Sequence, residues 1–280
     1  MKSDHRAPYS SLSTAIAKLD LREKSALITG GGYGIGSDIA RSFAECGISR
    51  LVLVGRTEAR LRDTAESLQK FKETIVNCYI ADISVEKDVQ TVFSALDDTP
   101  DYLVNSAGYL PDLVSFIDAD LNQFRSSLLT NVLGTAQFTQ AFLRHRRTFK
   151  EKVTPAVVIT LNTVGALSVR VPRIFAYASA KAGLARLSEL VSVDVPESEA
   201  RFICVHPGAV KTDMGAKFGL GDDFPYTEGK LVGDFVVWLT SSDAEFLSGR
   251  FVWAKWDVDD LVEIKDEIQQ KDLLRTRLSM

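Results

Sequence analysis

The feature that most constrains this chain is a short apolar run, Ser25-Ala-Leu-Ile-Thr29, leading into Gly30-Gly-Gly-Tyr-Gly-Ile-Gly36 and then Ser37-Asp-Ile-Ala-Arg-Ser-Phe-Ala-Glu45. A run suited to a buried strand meets five glycines in seven residues, and apolar positions at helical spacing follow. Glycine permits positive φ and close backbone approach in the turn. The helix behind it presents free N–H groups and a positive dipole end to an anion. In this strand–turn–helix setting Gly30, Gly34 and Gly36 are expected to cradle the pyrophosphate of a dinucleotide.

The alternation continues along the chain. Further apolar runs suited to parallel strands are Arg50-Leu-Val-Leu-Val-Gly55 and residues 74–80, 101–104, 155–161, 201–205 and 250–254. Helical patterns lie between them. One is capped by Thr57 and runs to about Phe71, and one is capped by Ser84 with Asp88 in its first turn. Residues 122 to about 148 carry Asn131, residues 175–193 carry Tyr177 and Lys181, and a last helix runs through Leu239. Strand and helix in alternation predict an α/β fold, a doubly wound parallel sheet of about seven strands flanked by helices, with right-handed crossovers. At 280 residues, with no repeat or low-complexity linker, residues 21–256 are expected to form one domain. Residues 1–20 are polar and read as an arm that packs on the surface or frays, and residues 257–280 read as one exposed amphipathic helix.

Composition narrows the partners. A net charge of −4 provides no electrostatic footprint for nucleic acid or an anionic membrane, and the basic Arg144-His-Arg-Arg147 suits a helix C-terminus. Cys46, Cys78 and Cys204 are scattered in apolar contexts and read as reduced core thiols of a cytosolic protein. With His5, His145 and His206 the only histidines, no metal site is expected. The opening residues lack an apolar core of signal-peptide length, and 278–280 do not match the Ser-Lys-Leu address. The densest apolar run, residues 235–239, is too short to span a bilayer. A soluble, cytoplasmic protein is expected.

In an open parallel sheet the ligand lies at the carboxyl ends of the strands, and the notable residues fall there. The second strand closes on Arg56, where an NAD site would place a carboxylate for the ribose 2′-hydroxyl; a guanidinium suits the 2′-phosphate of NADP(H) instead. Tyr177 and Lys181 stand at i and i+4 on one helix face. A phenol is a poor acid–base group at neutral pH, and a nearby ammonium is expected to lower its pKa.

With these motifs in place the chain resembles the short-chain dehydrogenases/reductases over about residues 20–256. Thr29–Gly36, Asn105-Ser-Ala-Gly108, Tyr177-x-x-x-Lys181 and Pro207-Gly208 with Thr212 carry the resemblance. It implies a single-domain Rossmann-type oxidoreductase that binds NADP(H) and interconverts a small-molecule ketone and secondary alcohol. Tyr177 would be its acid/base. Lys181 would lower the tyrosine pKa and hold the nicotinamide ribose, and Asn131 would hold a relay water in a kinked helix. The resemblance extends cofactor contacts to Ile35, Asn105, Ala107 and Gly108, with Asp82 and Ile83 flanking the adenine and Val210 and Thr212 meeting the carboxamide. The family's serine after strand five is absent; Thr163 aligns with it, and Ser168 is a second hydroxyl. Phe218, Phe224 and Tyr226 are expected to form a mobile lid over an apolar substrate, with local core packing as the alternative. The arm, the divergent serine segment and the tail are similar to fungal biosynthetic reductases, which implies a secondary-metabolite substrate. A homodimer or homotetramer built on the helices at 122–148 and 175–193 is also implied. Two alternatives stay open: a dehydratase, isomerase or cyclase using Tyr177 for proton transfer alone, and a non-catalytic NADP(H)-binding protein.

Overall fold

The computed structural model describes residues 3–149 and 154–277. The outermost residues of the arm and tail, 1–2 and 278–280, lie outside them. Seven strands form one sheet: β1 (Ser25–Thr29), β2 (Arg50–Gly55), β3 (Ile75–Ile80), β4 (Tyr102–Asn105), β5 (Ala156–Leu161), β6 (Ala200–His206) and β7 (Arg250–Trp253). The order across it is β3-β2-β1-β4-β5-β6-β7, and every pairing is parallel. In chain order the helices are α1 (Ser10–Ile16), α2 (Ile35–Glu45), α3 (Glu58–Leu68), α4 (Glu86–Ser94), α5 (Leu121–Leu128), α6 (Thr135–Arg146), α7 (Phe175–Asp194), α8 (Asp213–Ala216), α9 (Gly229–Trp238), α10 (Val258–Glu263) and α11 (Lys265–Gln270).

The inner strands read as nearly unbroken apolar runs because both faces of the sheet are covered there, whereas the edge strand β3 is largely exposed. Successive side chains point to opposite faces, so Ala26 and Ile28 join one core cluster and Leu27 the other. Leu51 and Leu53 divide from Val52 and Val54 in the same way. On the first face α2 and α9 pack together closely. A Cβ on Gly233 would lie 2.4 Å from the Ser42 hydroxyl, so only glycine allows this approach. That contact seats α2, and with it the glycine turn at its N-terminus.

Several local expectations are corrected. Thr57 stands at the N-cap of α3 but makes no side-chain cap bond. Ser84 does not cap α4, which starts after Val85. Its hydroxyl and N–H instead donate to Asp82 Oδ1 at 2.6 and 2.9 Å, a local turn that competes with capping. Cys78 is exposed, because β3 is an edge strand with little cover. The predicted helix at 122–148 is interrupted by six residues of π-helix, Leu129–Gly134. The tail is two short helices that turn at Ile264, which lets both Leu261 and Ile268 reach the core.

The opening segment is seated on the same core. Leu12 is fully buried, the Tyr9 hydroxyl donates to the Trp256 carbonyl at 3.0 Å, and His5 Nε2 lies 2.8 Å from Asp257. If this docking belongs to the core, Leu12→Ala lowers stability by about 2–5 kcal/mol, the range for emptying a buried leucine site. Urea denaturation measures this, and an unchanged midpoint would show that polar contacts alone hold the arm.

Candidate active site

The carboxyl ends of the central strands surround a cleft of about 340 Å³. Its floor is made where the loops after β1 and β4 touch. The Thr29 hydroxyl accepts from the N–H groups of Ser106 and Ala107, each at 3.2 Å, and so ties the two loops together. Gly34 has φ 56°, in the left-handed region, and forms the N-cap of α2. A Cβ on Gly36 would sit 2.2 Å from the Gly30 carbonyl oxygen. The turn is therefore wound tightly enough to open the first N–H groups of α2 toward the cleft, a cradle of the shape and polarity that a pyrophosphate needs.

Of the residues expected to bind cofactor, Gly30, Gly34, Ile35, Gly36, Arg56, Asp82, Ile83, Ala107, Gly108, Tyr177, Lys181 and Thr212 line this cleft. The remaining expected residues lie off its wall. Asn105 is buried at the end of β4, its amide donating to Thr139 Oγ1 at 3.0 Å. Val210 is buried and bridges to Thr227. Asn131 sits in the π segment, and its side chain grips the backbone of Tyr109. Its Oδ1 accepts from the Tyr109 N–H at 3.0 Å, and its Nδ2 donates to the Tyr109 carbonyl at 2.8 Å. Thr163 caps a short turn, its hydroxyl accepting from the Gly165 N–H at 3.2 Å. Ser168 accepts from the Arg170 N–H in the loop beyond. Of the three aromatic residues of the expected lid, Phe224 and Tyr226 meet edge to face, the Tyr226 hydroxyl donates to the Leu220 carbonyl, and Phe218 is exposed.

Arg60, Tyr33, Thr130, Asn162, Asp213 and Met214 also line the cleft, and sequence reasoning did not single them out as site residues. Asn162 had a signal, since it lies at the end of β5 where functional side chains gather; it accepts from the Thr163 N–H and donates to the Lys181 carbonyl. Arg60 and Asp213 lie on elements far apart in sequence, so spacing carries no trace of their meeting.

Burial dominates the electrostatics of the Tyr177–Lys181 pair. It pushes the Tyr177 phenol up, opposite to the direction that the i, i+4 spacing predicts. The Lys181 ammonium lies 5.9 Å from the tyrosine ring centre and donates to the Leu161 carbonyl at 2.9 Å. Burial also lowers Lys181 to about 8, with Cys204 opposing weakly. At the mouth, burial raises Asp82, but the Ser84 hydrogen bonds and then Arg56, 3.6 Å away, outweigh it and hold the carboxyl low.

Comparison with known proteins follows the same lines. Residues 24–222 match the family described as short chain dehydrogenase. The short chain dehydrogenase mpl6 of Monascus purpureus is 28% identical over 288 residues, spanning 98% of this chain and 94% of its own. A 3-oxoacyl-[acyl-carrier protein] reductase from Brucella melitensis, solved in complex with NAD, superposes with a TM-score of 0.73 at 27% identity over 83% of this chain and 96% of that one. The Pseudomonas aeruginosa RhlG/NADP complex superposes with a TM-score of 0.75 at 21% identity, over the same shares of the two chains.

The lowered Lys181 pKa has a consequence for stability. Between about pH 8 and 10.5 the unfolded chain holds a proton that the folded protein has released, so this group adds stability as pH rises through that window. Urea midpoints across the window are expected to rise for the unsubstituted protein relative to Lys181→Met. A constant difference between the two proteins would show that the buried ammonium is fully compensated.

Proposed function

The chain belongs to the short-chain dehydrogenase family, and from that premise we propose that it is an NADP(H)-dependent oxidoreductase interconverting a ketone and a secondary alcohol. The observation that carries this reading is that Tyr177 and Lys181 line the same cleft as the glycine cradle. An acid/base group is thereby set beside a dinucleotide site. Family membership supports a nicotinamide cofactor, and the cradle at Gly34 and Gly36 fits its pyrophosphate. When bound, the nicotinamide supplies or accepts the hydride.

The chain's own residues do the rest. Tyr177, kept neutral by burial, holds the proton that a carbonyl oxygen takes up when it is reduced. Lys181 is anchored by the Leu161 carbonyl and keeps further N–H groups for the ribose hydroxyls. Thr163 retains a hydroxyl hydrogen to polarise the substrate carbonyl while its oxygen accepts from Gly165. Asn131 acts at one remove, by holding the Tyr109 backbone next to the cleft residue Gly108. Arg56 takes the 2′-phosphate of NADP(H), with Asp82 and Ile83 beside the adenine. The likeness to fungal relatives supports a secondary-metabolite substrate. The exposed Leu121, Leu128, Leu129 and Leu133, with Leu190 and Val193 of α7, support self-association through these helices, which light scattering tests.

The cofactor assignment is tested by affinity. NADPH is expected to bind more tightly than NADH, and Arg56→Ala to erase most of the difference. Because Arg56 is well exposed, the change is expected to be about fivefold, at the upper end for a solvent-screened pair. Equal affinities in the unsubstituted protein would end the assignment.

The chemistry is tested by turnover with one active ketone, followed at the NADPH absorbance. Tyr177→Phe deletes only the phenol oxygen and is expected to abolish turnover with NADPH affinity nearly intact. Thr163→Val keeps the shape but loses the donor, and is expected to lower kcat by about 10²–10³, the usual cost of one oxyanion donor. Thr163→Ser should retain activity. If Ser168→Ala is the crippled variant instead, the carbonyl is held from further along the loop.

A further inference from the structure

Three side chains from distant parts of the chain meet at the cleft mouth. Tyr33 comes from the glycine turn after β1, Arg60 from α3 after β2, and Asp213 from α8 after β6. The Arg60 guanidinium lies over the Tyr33 ring, 4.4 Å from its centre, and its Nη2 is 3.1 Å from Asp213 Oδ2. The Tyr33 hydroxyl donates to Asp213 Oδ1 at 2.6 Å and accepts from the Asp213 N–H at 3.2 Å.

This end of the cleft therefore carries two guanidinium groups, each opposite a carboxylate. Arg56 lies 3.6 Å from Asp82, whose position is set by its two bonds to Ser84. Arg60 faces Asp213, which is exposed on a helix of four residues and has little to hold it beyond this contact and Tyr33. Stacking on an aromatic face leaves the edge of a guanidinium, with its N–H donors, free for an anion. The glycine turn has Tyr33 and no basic residue of its own, so the charge reaches that wall from α3.

We propose that Arg60, held on the Tyr33 ring, is a second specificity-determining cation for the 2′-phosphate of the cofactor, and that Asp213 occupies it until the phosphate displaces that carboxylate. This rests on the reading of the cleft as an NADP(H) site. A phosphate monoester carries more charge than a carboxylate and offers three acceptor oxygens, so it outcompetes Asp213 for the fork. The ribose hydroxyl of NAD(H) does not. Asp213 thereby penalises only the cofactor that needs Arg60, and the two residues must act in opposite directions on the same preference.

The test is the affinity of the full-length protein for NADPH and NADH, by titration calorimetry at low salt. Arg60→Met is expected to weaken NADPH about fivefold and leave NADH within about twofold, the scale for a half-exposed charge pair. Asp213→Asn is expected to tighten NADPH about threefold with no change for NADH, and that gain should vanish when Arg60→Met is also present. Arg60→Lys should recover part of the preference. Equal weakening of both cofactors by Arg60→Met would show a structural role and overturn the proposal. So would an NADPH affinity indifferent to Asp213→Asn. If the unsubstituted protein prefers NADPH and only Arg56→Ala removes that preference, the cofactor reading stands and the role of Arg60 falls. If the unsubstituted protein shows no preference, both fall.

Discussion

Burial of one parallel sheet on both faces is the constraint on which the rest of this structure depends. A strand covered on two sides is apolar along most of its length, and a parallel neighbour must be reached by a crossover. All seven strands therefore end at the same edge. The chain has to leave each of those ends through a loop, and the polar residues of the cleft gather there. The glycine turn, Arg56, Asp82, Ser106 to Gly108, Asn162 and Pro207 are brought together by this geometry. The close seating of α2 against α9 then fixes where the glycine turn can stand.

Desolvation is the second organising force, and it acts unequally along the cleft. At the inner end Tyr177 and Lys181 are both pushed toward their neutral forms, and the ammonium is partnered by a backbone carbonyl rather than by a carboxylate. In the proposed reaction that neutral phenol gives its proton to a carbonyl oxygen. At the mouth, where water screens, the cleft carries full charges arranged in opposing pairs, Arg56 with Asp82 and Arg60 with Asp213. Weak pairs of this kind cost little to exchange, as the proposed displacement of Asp213 by a phosphate requires.

The π segment at Leu129–Gly134 shows how local irregularity serves the site. A regular helix would give each side chain its 3.6-residue neighbours. The extra residue in the π turn shifts Asn131 so that both ends of its amide meet the backbone of Tyr109, beside Gly108. A side chain at Gly134 would meet Ile83 at about 3.0 Å, so the segment also lies against the wall assigned to the adenine.

The alternation of strand and helix, the glycine turn and the i, i+4 placement of Tyr177 and Lys181 were legible in the sequence, because each rests on contacts between near neighbours. Periodicity reports which face is buried, and glycine spacing reports a turn. Caps were less legible: Ser84 had two competing local partners, and only packing selected Asp82. The tail read as one helix because its apolar spacing is regular, whereas the core to be covered required a turn at Ile264. By itself the sequence determined the sheet, its helical layers and the edge at which chemistry would gather. Only the tertiary structure decided which side chains line the cleft, since Arg60, Tyr33 and Asp213 meet across gaps of up to 180 residues. It also decided the sign of the Tyr177 shift, because burial depends on everything packed around a group and spacing along one helix does not.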